Sequence, residues 1–193
     1  MKHINQFTWG NVFTAEECDA LCSTASKQIR GKGRVLANGT GGIKNLLARN
    51  CDLAWLPRDT DNAWAYMRIN NLVNDINSQW LNFELDGEME ALQYLEYGFG
   101  QFYSWHQDNG SDAVATRKLT AVIQLSDPKD YIGGSTKIDS QTFLEDGQFV
   151  DTASKTKGSI TIFPSHLRHF ARPVFWGRRK ALVAWFHGSR PLR

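Results

Sequence analysis

Leu119-Thr120-Ala121-Val122-Ile123-Gln124-Leu125-Ser126-Asp127-Pro128 reads as a buried β-strand closed by a turn. Its apolar and β-branched residues suit a pleated surface, and the Asp-Pro that follows stops the strand. Leu92–Tyr97, Ser159–Phe163 and Lys180–His187 have the same character. Turn residues separate them: Gly98 and Gly100, Gly133-Gly134, Glu145-Asp146-Gly147 and Trp176-Gly177. Several short strands at this spacing predict a sandwich or barrel rather than a parallel sheet.

Upstream of Gly87 the pattern is helical. Thr14-Ala15-Glu16-Glu17 fits a capping box, and Cys18, Leu21, Cys22, Ala25 and Ile29 follow at helical spacing. Residues 31–43 are Gly-rich and read as a loop, without the glycine spacing of a phosphate-binding turn. A second helix starts near Asp59–Asn62, with Ile69, Leu72, Val73, Ile76 and Trp80 as its buried face. The expectation is one α+β domain over 1–193, in which 1–86 is mainly helical support and 87–193 is an all-β catalytic core.

Composition agrees with a packed domain: 41% hydrophobic and 22% charged residues rule out the disordered and collagen-like classes. No run approaches the ~20 apolar residues of a membrane span. Met1 to Gly10 lacks the apolar stretch of a secretory signal, so the three cysteines, Cys18, Cys22 and Cys51, are expected as free thiols in the cytoplasm. Asn38-Gly39-Thr40, a glycosylation pattern, is then chance. Cys18 and Cys22 belong to the apolar stripe of the first helix. A formal charge of +2 demands no polyanionic partner, although Pro164 to Arg193 carries seven Lys/Arg and no acid. Most of these read as a solvated face and tail.

The chemistry begins at Tyr103-Ser104-Trp105-His106-Gln107-Asp108. On an extended segment His106 and Asp108 face the same way and offer two legs of a metal site. A third leg must come from elsewhere, with His166, His169 and His187 as candidates and His3 remote. His169 is favoured by Arg179 ten residues on, after the Trp176-Gly177 turn. In a hairpin, Arg179 would lie beside the histidine strand and share a face with Ala181, Val183 and Trp185. An arginine in such apolar company needs a carboxylate, and none is nearby in sequence; a bound carboxylate ligand would satisfy it. Two histidines and one carboxylate leave three open metal positions, the arrangement of non-haem Fe(II) oxygenases, which a 2-oxo acid can chelate.

Leu92 to Arg190 resembles the iron- and 2-oxoglutarate-dependent dioxygenases of the prolyl 4-hydroxylase type. Tyr97 through Asp108 is similar to the family's first ligand segment, and Arg117-Lys118-Leu119-Thr120 through Ser126 to the strand after it. Tyr131-Ile132-Gly133-Gly134 resembles its Gly-Gly turn. Gly158 through Phe163-Pro164-Ser165, then His169, Pro173-Val174, Gly177, Arg179 and Trp185, resembles its closing motif. Asp52-Leu53-Ala54-Trp55-Leu56 is similar to the bacterial and viral branch.

The resemblance implies a double-stranded β-helix (jelly-roll) core braced by N-terminal helices. It implies His106, Asp108 and His169 as Fe(II) ligands, selecting His169 over His166. Arg179 is assigned to the C5 carboxylate of 2-oxoglutarate, with Tyr97 and Gln124 beside it. Gln124 stands where many animal members carry tyrosine. Arg117 resembles an arginine near the substrate mouth, and Trp105 and Trp185 are expected to line the site. The implied reaction is hydroxylation of a peptidyl proline coupled to decarboxylation of 2-oxoglutarate to succinate and CO2. O2 is the oxidant and ascorbate a further cofactor by family analogy. A free amino acid, another peptidyl residue or a small metabolite is the alternative substrate, and a non-catalytic jelly-roll binding module the alternative class. Arg179-Lys180-Ala181-Leu182-Val183 is not the closing pattern of the nucleic-acid demethylases, which disfavours a nucleic-acid substrate. The expected partner is a peptide or protein, with no membrane, and the basic C-terminal stretch leaves an acidic or nucleic-acid-associated protein open as a partner.

Overall fold

In the computed structural model, described at residues 6–28, 31–32, 35–37, 40–43, 47–87, 89–139 and 150–190, strand alternation sorts the core into two layers. The elements in chain order are β1 (Phe7–Trp9), α1 (Ala15–Ser26), β2 (Gly31–Lys32), β3 (Val35–Ala37), β4 (Thr40–Ile43), β5 (Arg49–Asn50), β6 (Asp52–Trp55) and α2 (Ala63–Ile76). Then come β7 (Gln93–Tyr97), β8 (Phe102–His106), β9 (Arg117–Gln124), β10 (Tyr131–Gly133), β11 (Thr136–Asp139) and β12 (Val150–Thr152). The chain closes with β13 (Ile160–Pro164), β14 (His169–Ala171), β15 (Val174–Gly177) and β16 (Arg179–His187). Among the described residues the major sheet runs β1-β13-β9-β16-β7-β6-β2 and the minor sheet β12-β11-β14-β8-β5. Every pairing within them is antiparallel. This is the expected jelly-roll core with flanking helices.

β16 shows how the layers arise. Leu182, Ala184 and Phe186 point to the core shared with the helices, while Ala181, Val183 and Trp185 point between the sheets. Both faces are therefore covered, which is why the strand is an unbroken apolar run. α1 begins at the expected capping box: the Thr14 hydroxyl accepts from Glu17 N–H and the Glu17 carboxylate accepts from Thr14 N–H. Its stripe of Cys18, Leu21, Cys22 and Ala25 packs on the outer face of the major sheet, beside Ala65, Tyr66, Ile69, Val73 and Ile76 of α2. All three cysteines are free and buried. No described helix is long and apolar enough to cross a membrane.

The first 86 residues carry α1 and α2 and also strands: β1 and β6 extend the major sheet and β5 the minor one. Three expectations need correction. Residues 31–43 contain β2, β3 and β4 where the glycine content predicts a loop, because strand pairing is set by the partner and not by glycine content. Trp80 is 58% exposed. α2 stops at Ile76 and passes into a π-helical turn, Asn77–Leu81, closed by Asn82 in the left-handed region, so the helical stripe does not reach Trp80. β14 and β16 do not form a hairpin: β14 pairs with β8 and β11, whereas β16 pairs with β7 and β9 in the other sheet. His3, Ile29, Asn38-Gly39, Glu145-Asp146-Gly147 and Arg193 lie outside the described residues.

Candidate metal centre

His106 ends β8 and His169 begins β14, and the two are paired across the minor sheet with ring centroids 4.1 Å apart. Between this pair and Tyr103↔Ala171, β8 advances three residues while β14 advances two. The extra residue is a β-bulge. It brings Tyr103 to the same side as His106, where the rings stack at 3.5 Å and 13°. It also leaves Trp105 on the opposite face, 40% exposed and packed on Phe170 at 4.3 Å with Arg168 beside it. Trp105 therefore does not line the interior, contrary to the expectation.

Asp108 lies beyond the end of β8, where no ladder fixes it. Its N–H donates to Ser165 O at 3.0 Å, and its Oδ2 accepts from the Thr120 hydroxyl at 2.8 Å. Thr120 is itself bonded to the Ser165 hydroxyl at 2.9 Å. His106 Nε2 lies 3.5 Å from Asp108 Oδ1, and His169 Nε2 lies 3.4 Å from Asp108 Oδ2. One ligand atom from each of His106, Asp108 and His169 fits within 4.8 Å of the others. Each imidazole bonds its Nδ1 to a backbone carbonyl, Ser104 O at 2.8 Å for His106 and Leu167 O at 3.0 Å for His169. That sets the tautomer and leaves both Nε2 atoms as donors to a metal. Burial would raise the Asp108 carboxyl, but His169 and His106 hold it well below the usual range, so it stays ionised. Burial, and then His169, lowers His106; burial also opposes charge on His169, but Asp108 outweighs it and the net direction is up. Two neutral-capable imidazoles and a standing carboxylate suit a divalent cation, so the residues fit the expected metal.

The major sheet supplies the second part. Arg179 is 3% exposed, and its Nε donates to Gln124 Oε1 at 3.1 Å. Gln124 gives its Nε2 to the Tyr131 hydroxyl at 3.1 Å and to Ser126 Oγ at 3.0 Å. The guanidinium lies 5.6 Å over the ring of Tyr97, its cross-strand neighbour. Gly134, at φ +59, leaves the room that a Cβ 3.3 Å from Arg179 Cδ would take. Among the described residues no carboxylate pairs with Arg179. Trp185 faces inward at 5% exposure, and its Nε1 has no hydrogen-bond partner among the described residues.

Of the other histidines, His187 is engaged by Glu90 Oε1 at 2.8 Å and by Thr116 Oγ1 at 2.8 Å, and His166 is not among the clustered groups. Thr120, Ser165, Tyr103, Tyr131 and Glu90 were not anticipated as parts of the site. Thr120 alone carried a signal: it alternates with Val122 and Gln124 as a polar residue on an inward face.

A jelly roll with this ligand set defines a non-haem metal protein. Residues 92–187 match the 2OG-Fe(II) oxygenase superfamily. The chain belongs to that superfamily. It is 30% identical over 118 residues to a PKHD-type hydroxylase of Prochlorococcus marinus, covering 60% of this chain and 51% of that protein. It is 28% identical over 182 residues to a PKHD-type hydroxylase of Shewanella baltica, covering 91% and 75%. The chain spans about half the length of several of these curated relatives. A Pseudomonas putida prolyl-4-hydroxylase superposes with a TM-score of 0.70 at 19% identity, covering 95% of this chain and 92% of that one. A Trichoplax adhaerens prolyl hydroxylase, solved with a hypoxia inducible factor peptide fragment, superposes with a TM-score of 0.75 at 15% identity, covering 95% and 83%. At these identities the superpositions speak for the fold.

Proposed function

We propose that the chain is an Fe(II)- and 2-oxoglutarate-dependent dioxygenase that hydroxylates a prolyl residue in a peptide or protein. The observations that carry this reading are a His-Asp-His cluster at the ends of β8 and β14 and a buried arginine on β16 that no described carboxylate neutralises. His106, Asp108 and His169 would hold iron on their Nε2 and carboxylate atoms. Arg179, oriented by Gln124, would take the C5 carboxylate of 2-oxoglutarate through a charge-assisted pair. Tyr97 keeps its proton, because burial raises its hydroxyl, and so remains a hydrogen-bond donor. Trp185 and the neighbouring apolar side chains exclude water from the reacting groups. The chemistry that iron supplies when bound is oxidation by O2, coupling release of succinate and CO2 to hydroxylation of an unactivated C–H bond. The prolyl assignment draws on the names of the structural neighbours and on the peptide held by the Trichoplax adhaerens protein.

The test is anaerobic addition of Fe(II) and 2-oxoglutarate, followed by O2 with and without a proline-rich peptide. A weak visible charge-transfer band that His169→Ala abolishes, with succinate release raised by the peptide, is expected. Slow succinate release unaffected by any prolyl peptide would discard the peptide substrate. No band and no succinate from folded, metal-loaded protein would discard the oxygenase.

A further inference from the structure

Arg117 and Arg179 are the two buried arginines described on the major sheet, and their surroundings differ in kind. Among the described residues Arg179 has no carboxylate partner. Arg117 has one: its Nε and Nη2 grip both oxygens of Glu90 at 2.6 and 2.7 Å. Its Nη1 donates to the backbone carbonyl of Asp108 at 3.2 Å. One face of the guanidinium lies 3.9 Å over the Trp185 ring. Glu90 is held in turn by His187 Nε2 at 2.8 Å, and His187 by Thr116. Little is left for a substrate: the carboxylate edge is filled, one face is covered and the residue is 9% exposed.

The Asp108 carbonyl explains the arrangement. Asp108 follows β8 without strand partners, yet a metal ligand must be held to a fraction of an ångström. Ser165 fixes its N–H, Thr120 its Oδ2, and Arg117 its C=O. Glu90 keeps the Arg117 fork from swinging away, and Trp185 limits its tilt. We propose that Arg117 is a positioning residue that anchors Asp108 through its backbone carbonyl, with Glu90 as its counter-ion, and is not a substrate contact. The proposal rests on reading His106, Asp108 and His169 as metal ligands. Lysine cannot reproduce it, since an ammonium has no planar fork to span a carboxylate and a carbonyl together.

The experiment measures Co(II) affinity and the visible Co(II) spectrum of wild type, Arg117→Lys, Glu90→Gln and His169→Ala, each checked for folding by its thermal melt. Partners that orient metal ligands are typically worth about 10–100-fold in metal affinity. Arg117→Lys and Glu90→Gln should each weaken Co(II) binding by about ten-fold and shift the spectrum in the same direction. The peptide KM of the iron enzyme should stay near wild type while kcat falls. Glu90→Gln tests the anchor even where Arg117→Lys fails to fold. Wild-type Co(II) affinity and spectrum in both variants, with a raised peptide KM, would overturn the anchor and make Arg117 a substrate contact. Undiminished Co(II) binding by His169→Ala would instead remove the metal reading, and the anchor with it.

Discussion

Arg179 and Gln124 sit on adjacent strands of the major sheet, and the guanidinium Nε donates to the amide oxygen at 3.1 Å. The bond fixes the plane of the fork without neutralising its charge. The amide is itself held by Tyr131 and Ser126, so the orientation propagates from three residues.

It follows that Arg179→Ala should weaken 2-oxoglutarate binding by about 100-fold or more, since truncating one partner of a buried charged pair costs about 2–5 kcal/mol. Arg179→Lys keeps the charge but loses the fork and should recover only part of that. Gln124→Ala should cost about ten-fold, the scale of one hydrogen bond to a charged group. Metal affinity should be unchanged in all three. The readout is an anaerobic titration of 2-oxoglutarate into the Fe(II) protein; equal affinity in Arg179→Ala would remove the arginine from the co-substrate site.

Thr120 gives its only proton to Asp108 Oδ2 and is 0% exposed, so Thr120→Val leaves the carboxylate and Ser165 without a shared partner. About ten-fold weaker metal binding is expected, with Thr120→Ser near wild type. A melting temperature that falls in Thr120→Val while metal affinity holds would show that the hydroxyl serves packing alone.

How much of this was readable in advance depends on the distance over which each feature is decided. The strands around Leu119 and Ala181 were legible to within two residues because period-2 burial is local. The His106–Asp108 spacing was legible as well. The bulge that stacks Tyr103 on His106 and turns Trp105 outward was not, because it exists only in register with β14. The same non-locality misplaced β14 beside β16. Arg117 found its carboxylate in Glu90, 27 residues upstream, and no pattern in either segment announces the pair.

Acid should act through Glu90. Burial pushes its carboxyl up, but hydrogen bonds and charge from Arg117, then His187, win, and the group ends below its ordinary 4.5. A depressed carboxyl stabilises the fold fully above the unfolded value and loses that contribution as pH falls through the folded one. The stability gap between wild type and Glu90→Gln should therefore be constant from about pH 7 down to about pH 5 and narrow below 4.5. Urea unfolding from about pH 7 to about pH 3 measures it, and a gap that does not narrow below 4.5 would exclude the ion pair as its source.

The thiols offer a probe of local opening. Burial pushes Cys18 and Cys22 up to about 11, and Cys51 is 0% exposed. Thiolates are the reactive species, so the native protein should react with a disulfide reagent far more slowly than the urea-unfolded chain, which should titrate three groups. Fast native labelling of Cys18 and Cys22 would mean that α1 detaches from the sheet on the timescale of the assay.

Gly100 and Gly177 share a backbone conformation, both at φ +71, but not a setting. Around Gly100 a Cβ would meet nothing within 4 Å, whereas at Gly177 it would run into the Asp130 carbonyl and lie 3.0 Å from Tyr131 Cα. Gly100→Ala should therefore carry only the left-handed backbone penalty of about 1 kcal/mol, a drop of roughly 2–4 °C in melting temperature for a chain of this size. Gly177→Ala adds a backbone collision that no rotamer relieves. It must push β10 away from β15, and β10 carries Tyr131, which holds Gln124 against Arg179. The melting temperature should fall further than in Gly100→Ala, and 2-oxoglutarate affinity should fall while metal affinity does not, because the histidine pair sits in the other sheet. Equal melts for the two variants would show that the turn yields, and that Tyr131 is not held in place by the tight approach at Gly177.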